Sequence, residues 1–239
     1  MIWFIKKFLV FLKVYNPLRK FIINFVSKGK PISFFEKILS NSIIDNYFNN
    51  INTLKIFSKR EDLWLHAISR VNIDSSLMFL EFGVHKGYSI KYFANNIKIA
   101  NSKFYGFDSF EGLPEFWNEN KQKGAFSTGG HQPIIQDSRI SFVKGWFQET
   151  LEDFIDETKN TNLYSNLIVH YDADLYSSTY YCLCQVDRLK SKYIAIFDEF
   201  YGDEPRALYN YQQSHCASVE FIAKTYSSKQ VICLIHPNT

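Results

Sequence analysis

Short apolar runs of strand length recur along this 239-residue chain, spaced by helix-length stretches and mostly closed by an acidic residue. The first, residues 77–80, opens the stretch LMFLEFGVHKGYSI (77–90). Four consecutive apolar residues suit a strand buried on both faces. Glu81 stands at its carboxyl end, and Gly83 and Gly87 bracket a tight turn into a helix that Lys91, Tyr92 and Phe93 carry onward. Further strands are expected at 103–107 (KFYGF), 140–143 (ISFV), 163–170 and 193–197 (YIAIF), with helices at 62–70, 148–155 and 179–189. Residues 218–224 read as a helix and 230–235 (QVICLI) as a strand near the sheet edge. Strands alternating with helices predict an α/β domain with a doubly wound, mostly parallel sheet.

Ligands of such sheets bind beyond the carboxyl ends of the strands. The acids therefore matter by position: Glu81, Asp108, Asp172, Asp174, Asp198 and Glu199 all fall at expected strand ends. Crowding so many carboxylates along one edge is costly unless ligands or cations pair with them. Gly83 and Gly87 have G-x-x-x-G spacing, which does not match the G-x-G-x-x-G dinucleotide fingerprint. Asp108 follows Gly83 by about one helix and one strand, where an acid can accept hydrogen bonds from both hydroxyls of a ribose. Asp172 and Asp174, with Asp198 and Glu199 on the neighbouring strand, offer hard oxygen donors of the kind Mg²⁺ prefers. Residues 115–136 are polar, carry Gly124, Gly129 and Gly130, and read as a lid or binding loop.

Charge is distributed unevenly. Before Glu36 there are seven basic residues and no acid; the remainder holds 20 basic and 24 acidic residues, a net of −4. That balance argues against a nucleic-acid surface on the main body. Residues 1–30 form a basic amphipathic helical segment in this reading, and 31–239 the domain. Within 1–27 the unbroken apolar runs are far shorter than the ~20 residues of a membrane span. A basic, aromatic-rich segment of this type either pairs subunits or lies on anionic lipid. Four cysteines without zinc spacing read as reduced thiols in a cytoplasmic protein.

Four strings, in order, resemble the macrocin O-methyltransferase family of S-adenosylmethionine-dependent sugar methyltransferases over about residues 75–205. LEFGVHKGYS is similar to its cofactor turn and FYGFDSFEGLPEFW to its ribose-binding strand end. VKGWFQETL is similar to the segment entering the next helix, and HYDADLYSST with FDEFYG to its metal-binding strand ends. The resemblance implies a seven-stranded Rossmann-like methyltransferase sheet with an N-terminal helical extension. It implies that Glu81, Gly83, Gly87, Asp108 and Ser109 bind the S-adenosylmethionine, and that Asp172, Asp174, Asp198 and Glu199 hold Mg²⁺. Glu199 departs from the family, which commonly has Asp there. Asp172 or Asp174 would act as the base on a sugar hydroxyl, with His170 and His85 as alternatives. Trp117, Phe126, His131 and Trp146 could stack on the sugar, and Tyr176 and Tyr201 bound the pocket. The expected partners are a sugar-containing acceptor, a second copy of the chain in a homo-oligomer, and peripheral membrane at the inner face. Metal-free methyl transfer, or a membrane scaffold with a decayed methyltransferase fold, are the alternatives.

Overall fold

The computed structural model describes residues 30–49, 53–159, 161 and 164–238. The basic segment expected over 1–30 lies, but for its last residue, outside them. The elements run α1 (Lys30–Phe48), β1 (Lys55–Phe57), α2 (Arg60–Ile68), β2 (Leu77–Phe82), α3 (Tyr88–Asn96), β3 (Ser102–Asp108), β4 (Ile140–Lys144) and α4 (Phe147–Lys159). They continue β5 (Asn166–Tyr171), α5 (Tyr176–Asp187), β6 (Tyr193–Phe197), α6 (Asp203–His215), β7 (Ser218–Thr225) and β8 (Val231–His236).

One sheet holds all eight strands, in the order β1-β7-β8-β6-β5-β2-β3-β4. Neighbours run parallel except around β8, which is antiparallel to both β6 and β7. Strand β2 is buried along its whole length because both faces of the sheet are covered. Met78, Leu80 and Phe82 point to one face and join Leu151 and Ile155 of α4, Leu183 of α5 and Leu208 of α6. Leu77 and Phe79 point to the other and join Leu63 and Trp64 of α2 and Ile90 and Phe93 of α3. The two-residue period of a strand thus builds a core on each side, as a doubly wound sheet requires.

The outer part of the sheet corrects two expectations. Residues 218–224 belong to strand β7, not to a helix. Its buried positions Phe221, Ala223 and Thr225 alternate, and pairing on both sides, to β1 and β8, overrides local preference; an irregularity between Phe221 and Ala223 interrupts the pattern. Strand β8 lies third from the β1 edge, between β7 and β6, further inside than a strand near the edge, so Val231, Ile232, Cys233 and Ile235 are buried. The edge on this side belongs to β1, a three-residue strand paired with β7.

The chain leaves β2 for β3 and β4 on one side, then returns to β5 and β6 on the other. The connections therefore diverge between β2 and β5, opening a crevice above their carboxyl ends. Among the described residues no helix is long and apolar enough to cross a membrane. All four cysteines are free, and Cys182 and Cys184 lie on α5, where their spacing puts them on different faces.

Candidate functional site

Hydrogen bonding between strands continues one residue past the strand ends and fixes the edge. The N–H of Gly83 donates to Phe107 O (3.0 Å), that of Asp172 to Phe82 O (2.9 Å), that of Asp198 to Tyr171 O (3.1 Å) and that of Gly145 to Asp108 O (3.1 Å). A cavity of about 270 Å³ opens on this edge. Gly83, Asp108, Ser109, Asp172, Asp174, Asp198 and Glu199 all line it, so the fold brings seven of the nine expected site residues together. Glu81 and Gly87 are not among the lining residues.

Each of those two has another occupation. Gly87 caps α3 in the left-handed region at φ 74 and donates its N–H to Val84 O (2.8 Å). Glu81 is fully buried beneath the edge, with one carboxylate oxygen 2.9 Å from Nδ1 of His170. Gly83, at φ 92, passes so near β5 that a Cβ would lie 1.9 Å from the carbonyl oxygen of Asp172. Only glycine fits there.

Asp108 is held by the turn itself. The N–H groups of Val84 and His85 donate to its Oδ2 (2.9 and 2.8 Å), and that of Phe110 to its Oδ1 (2.7 Å). An ionised carboxylate offers about four acceptor positions. Three are taken, so about one is left for a ligand hydroxyl. Ser109 Oγ accepts the Glu111 N–H (3.1 Å).

At the other end of the cavity the acids crowd one another. His170 is fully buried between Glu81 and Asp198, with Nε2 3.8 Å from Asp198 Oδ1. Burial opposes charge on this imidazole, but the carboxylates of Asp198 and Glu81 outweigh it and lift it to about 10. His170 is therefore an imidazolium countercharge, removed from solvent and unsuited to act as a base. Asp198 is buried too, yet held below the usual carboxylate range by His170 and then Arg60. Asp172 is pushed well up by burial and by Asp198. Asp174 is raised to about 7 by burial, then by Glu199 and Asp198.

Asp174 also sits at φ 60, where the Leu175 N–H reaches back to Ala173 O (2.6 Å) across a three-residue turn. His85 and Phe126, which line the cavity as well, have φ of 51 and 67. Such backbone positions cost of order 1–3 kcal/mol each and collect at functional sites.

Two charged residues of this cluster are missing from the sequence reading. Arg60, the first residue of α2, places Nη1 3.5 Å from Asp198 Oδ2 and spreads its guanidinium over Trp64 and Tyr88. Glu204, in the first turn of α6, is fully buried; its Oε2 accepts the Glu199 N–H (3.0 Å). Burial and the nearby Asp172, Asp198 and Asp174 push it well above the usual range. Glu204 had one available signal, its place five residues after Glu199 in FDEFYGDEP. Arg60 had none, because no local pattern ties it to a distant strand end.

The donor chemistry suits a hard divalent cation. Asp198 Oδ1, Glu199 Oε2 and Glu204 Oε1 are buried with no hydrogen-bond partner, a costly state that a cation would relieve. The positions do not converge to the same degree: among the described residues no group of three or more His, Cys, Asp or Glu side chains is arranged to hold a metal ion.

The loop after β3 forms the third wall. It is braced by its own backbone, Leu113 N–H to Ala125 O (2.9 Å), Gly124 N–H to Leu113 O (2.8 Å) and Gly130 N–H to Phe110 O (2.9 Å). It is also tied to α5, where Ser177 Oγ donates to Glu115 Oε1 (2.7 Å). Of the expected stacking residues, Phe126 and Trp146 line the cavity, whereas Trp117 and His131 do not. Tyr176 and Tyr201 also lie outside the lining.

Solved structures share this fold. The O-methyltransferase NovP superposes with a TM-score of 0.52 at 18% identity, over 75% of this chain and 79% of that one. The fold is a methyltransferase fold. An O-methyltransferase from Bacillus cereus in complex with SAH is more distant, with a TM-score of 0.45 and 11% identity over 83% of this chain and 90% of that one. No family model matches the chain, and no curated protein matches it in sequence.

Proposed function

We propose that this chain is an S-adenosylmethionine-dependent O-methyltransferase of the macrocin O-methyltransferase type, acting on a sugar hydroxyl with Mg²⁺ at its acidic edge. The carrying observation is the single cavity that joins Asp108, beside the glycine turn, to Asp172, Asp174, Asp198 and Glu199 within a methyltransferase fold. Asp108 would accept one ribose hydroxyl with the capacity left after its three backbone contacts. Gly83 gives the methionine part room against the turn, and Trp146 and Leu113 supply apolar walls. Asp198 and Glu199, with Asp174 or Asp172, would hold the cation. When bound, Mg²⁺ lowers the pKa of a coordinated hydroxyl. Whichever of Asp172 and Asp174 does not hold the cation would take the hydroxyl proton, as a carboxylate beside the reacting oxygen. The sulfonium methyl is already activated, so alignment by the cavity walls supplies much of the rate, of order 7–11 kcal/mol in well-oriented systems.

A metal-free form of the same reaction has one observation in its favour, the lack of a converged three-ligand group among the described residues. Both readings are decided by calorimetry and by transfer of labelled methyl from S-adenosylmethionine to a panel of neutral and acidic methyl glycosides. Micromolar cofactor binding, weakened at least ~10-fold in Asp108→Ala, is the expected outcome; no binding at millimolar cofactor overturns the methyltransferase reading. Transfer abolished by EDTA and restored by Mg²⁺ supports the metal, and full transfer in chelator removes it.

A further inference from the structure

A second cleft, of about 540 Å³, shares His85 with the cavity described above. Lys86, Lys91 and His131 line it with His85, and no carboxylate is among its lining residues. That charge is out of keeping with the body of the chain, which is net −4 from Glu36 onward (20 basic, 24 acidic). Many lysines elsewhere are engaged: Lys144 with Gly130 O, Lys159 with Asp156, Lys190 with Asp187. The side-chain ammonium groups of Lys86 and Lys91, both exposed, make no hydrogen bond or ion pair with any described residue.

Their placement makes this costlier than ordinary surface charge. Both flank the amino end of α3, whose first turn contains no acid and whose cap, Gly87, has no side chain to offer. The helix dipole already places positive potential there. His131 turns Nδ1 toward Thr128 O (3.1 Å), which leaves Nε2 for a ligand. Ile134, 96% exposed, adds an aliphatic shelf against which the C–H face of a sugar can lie.

We infer that this cleft binds an anionic group, phosphate or carboxylate, carried by the acceptor, which makes the acceptor an acidic sugar or glycan and not a neutral one. The inference rests on the methyltransferase reading for the word acceptor; the anion site itself does not. An acceptor seated on Lys86 and Lys91 passes His85 to reach the acidic edge, and its charge selects it from neutral sugars through charge-assisted contacts.

The test uses the full chain and its Lys86→Ala/Lys91→Ala variant, titrated with glucose 1-phosphate, glucuronate, inorganic phosphate and glucose, with histidine ring resonances as the readout. S-adenosylmethionine binding is measured in parallel. The expected result is saturable binding of glucose 1-phosphate or glucuronate that moves the His131 and His85 resonances. It should weaken at least ~10-fold in the double variant, while cofactor affinity stays within about twofold. Lys86→Arg/Lys91→Arg should retain the binding and controls for folding. Glucose 1-phosphate alone assigns the group to phosphate, and glucuronate alone to carboxylate. Equal binding by the double variant, no distinction from glucose, or binding of inorganic phosphate alone overturns the inference. Failure of cofactor binding with the anion site intact would sink the methyltransferase reading instead.

Discussion

A methyl group added at Gly83 would meet the carbonyl oxygen of Asp172 at 1.9 Å while forcing an alanine to φ 92. The positive φ alone costs of order 1–3 kcal/mol, and the contact is with backbone that cannot swing away. Gly87 differs. Its added Cβ would meet side chains and no backbone: Ile135 Cδ1 and Pro133 Cγ at 3.0 Å and Pro133 Cβ at 3.2 Å. Gly83→Ala should therefore destabilise the fold by at least ~3 kcal/mol, or about 6–12 °C in Tm for a domain of this size. Gly87→Ala should cost about 1–2 kcal/mol. Thermal unfolding of the two variants without any ligand decides the matter; an unperturbed Tm for Gly83→Ala would mean the turn can move away from β5. The glycine of the turn thus answers first to the packing of β2 against β5. A ligand bound at this edge would meet a close approach that the sheet already demands.

At the scale of elements, strands β2 to β6 were legible because each is an apolar run with a marked end, an acid or a glycine. The gathering of the acids was legible for the same reason: Asp108, Asp172, Asp174, Asp198 and Glu199 all emerge at one edge once the strands are parallel. What stayed hidden is what depends on distant partners. Strand β7 is shaped by pairing to β1 and β8, β8 owes its interior place to an antiparallel return, and β1 is three residues long. Arg60 and Glu204 reach the acidic edge from helices that carry no local mark of it. The loop over 115–136 was legible as a wall but not as a braced one. Its tie to α5 through Ser177 and Glu115 is exposed, so it contributes about 1 kcal/mol at most. Ser177→Ala should leave Tm within about 3 °C while raising amide hydrogen exchange at 113–128 by up to ~5-fold. Unchanged exchange there would show that the backbone bonds to Phe110 and Leu113 hold the loop alone.

For the molecule as a whole, the acidic edge sets how stability responds to pH. His170, raised from 6.5 to about 10, contributes stability fully present below about pH 6.5 and lost as pH climbs toward 10. Asp174, raised from 3.8 to about 7, binds its proton more tightly folded than unfolded, so its penalty grows from pH 4 and is complete above 7. Asp172, Glu199 and Glu204 are raised as well and act in the same direction. Asp198 alone of this group is lowered; its contribution holds above pH 4 and fails only in acid. Within the acidic edge the signs agree above pH 5, so these groups hold more protons folded than unfolded and stability falls as pH rises; His66 and His85, lowered chiefly by burial, oppose this only up to about pH 6.5. One extra proton held across 1.5 pH units corresponds to about 2 kcal/mol. Unfolding scans of the metal-free protein should accordingly show Tm dropping by at least ~4 °C between pH 6 and pH 9. A divalent cation held by these carboxylates requires them ionised. Saturating Mg²⁺ should therefore raise Tm more at pH 8.5 than at pH 5.5, and Asp198→Asn should remove that increment. A flat Tm across the range would mean that the buried acids and His170 do not hold their protons as their surroundings dictate. An equal Mg²⁺ effect at both pH values, or one that survives in Asp198→Asn, would place the cation elsewhere than the acidic edge.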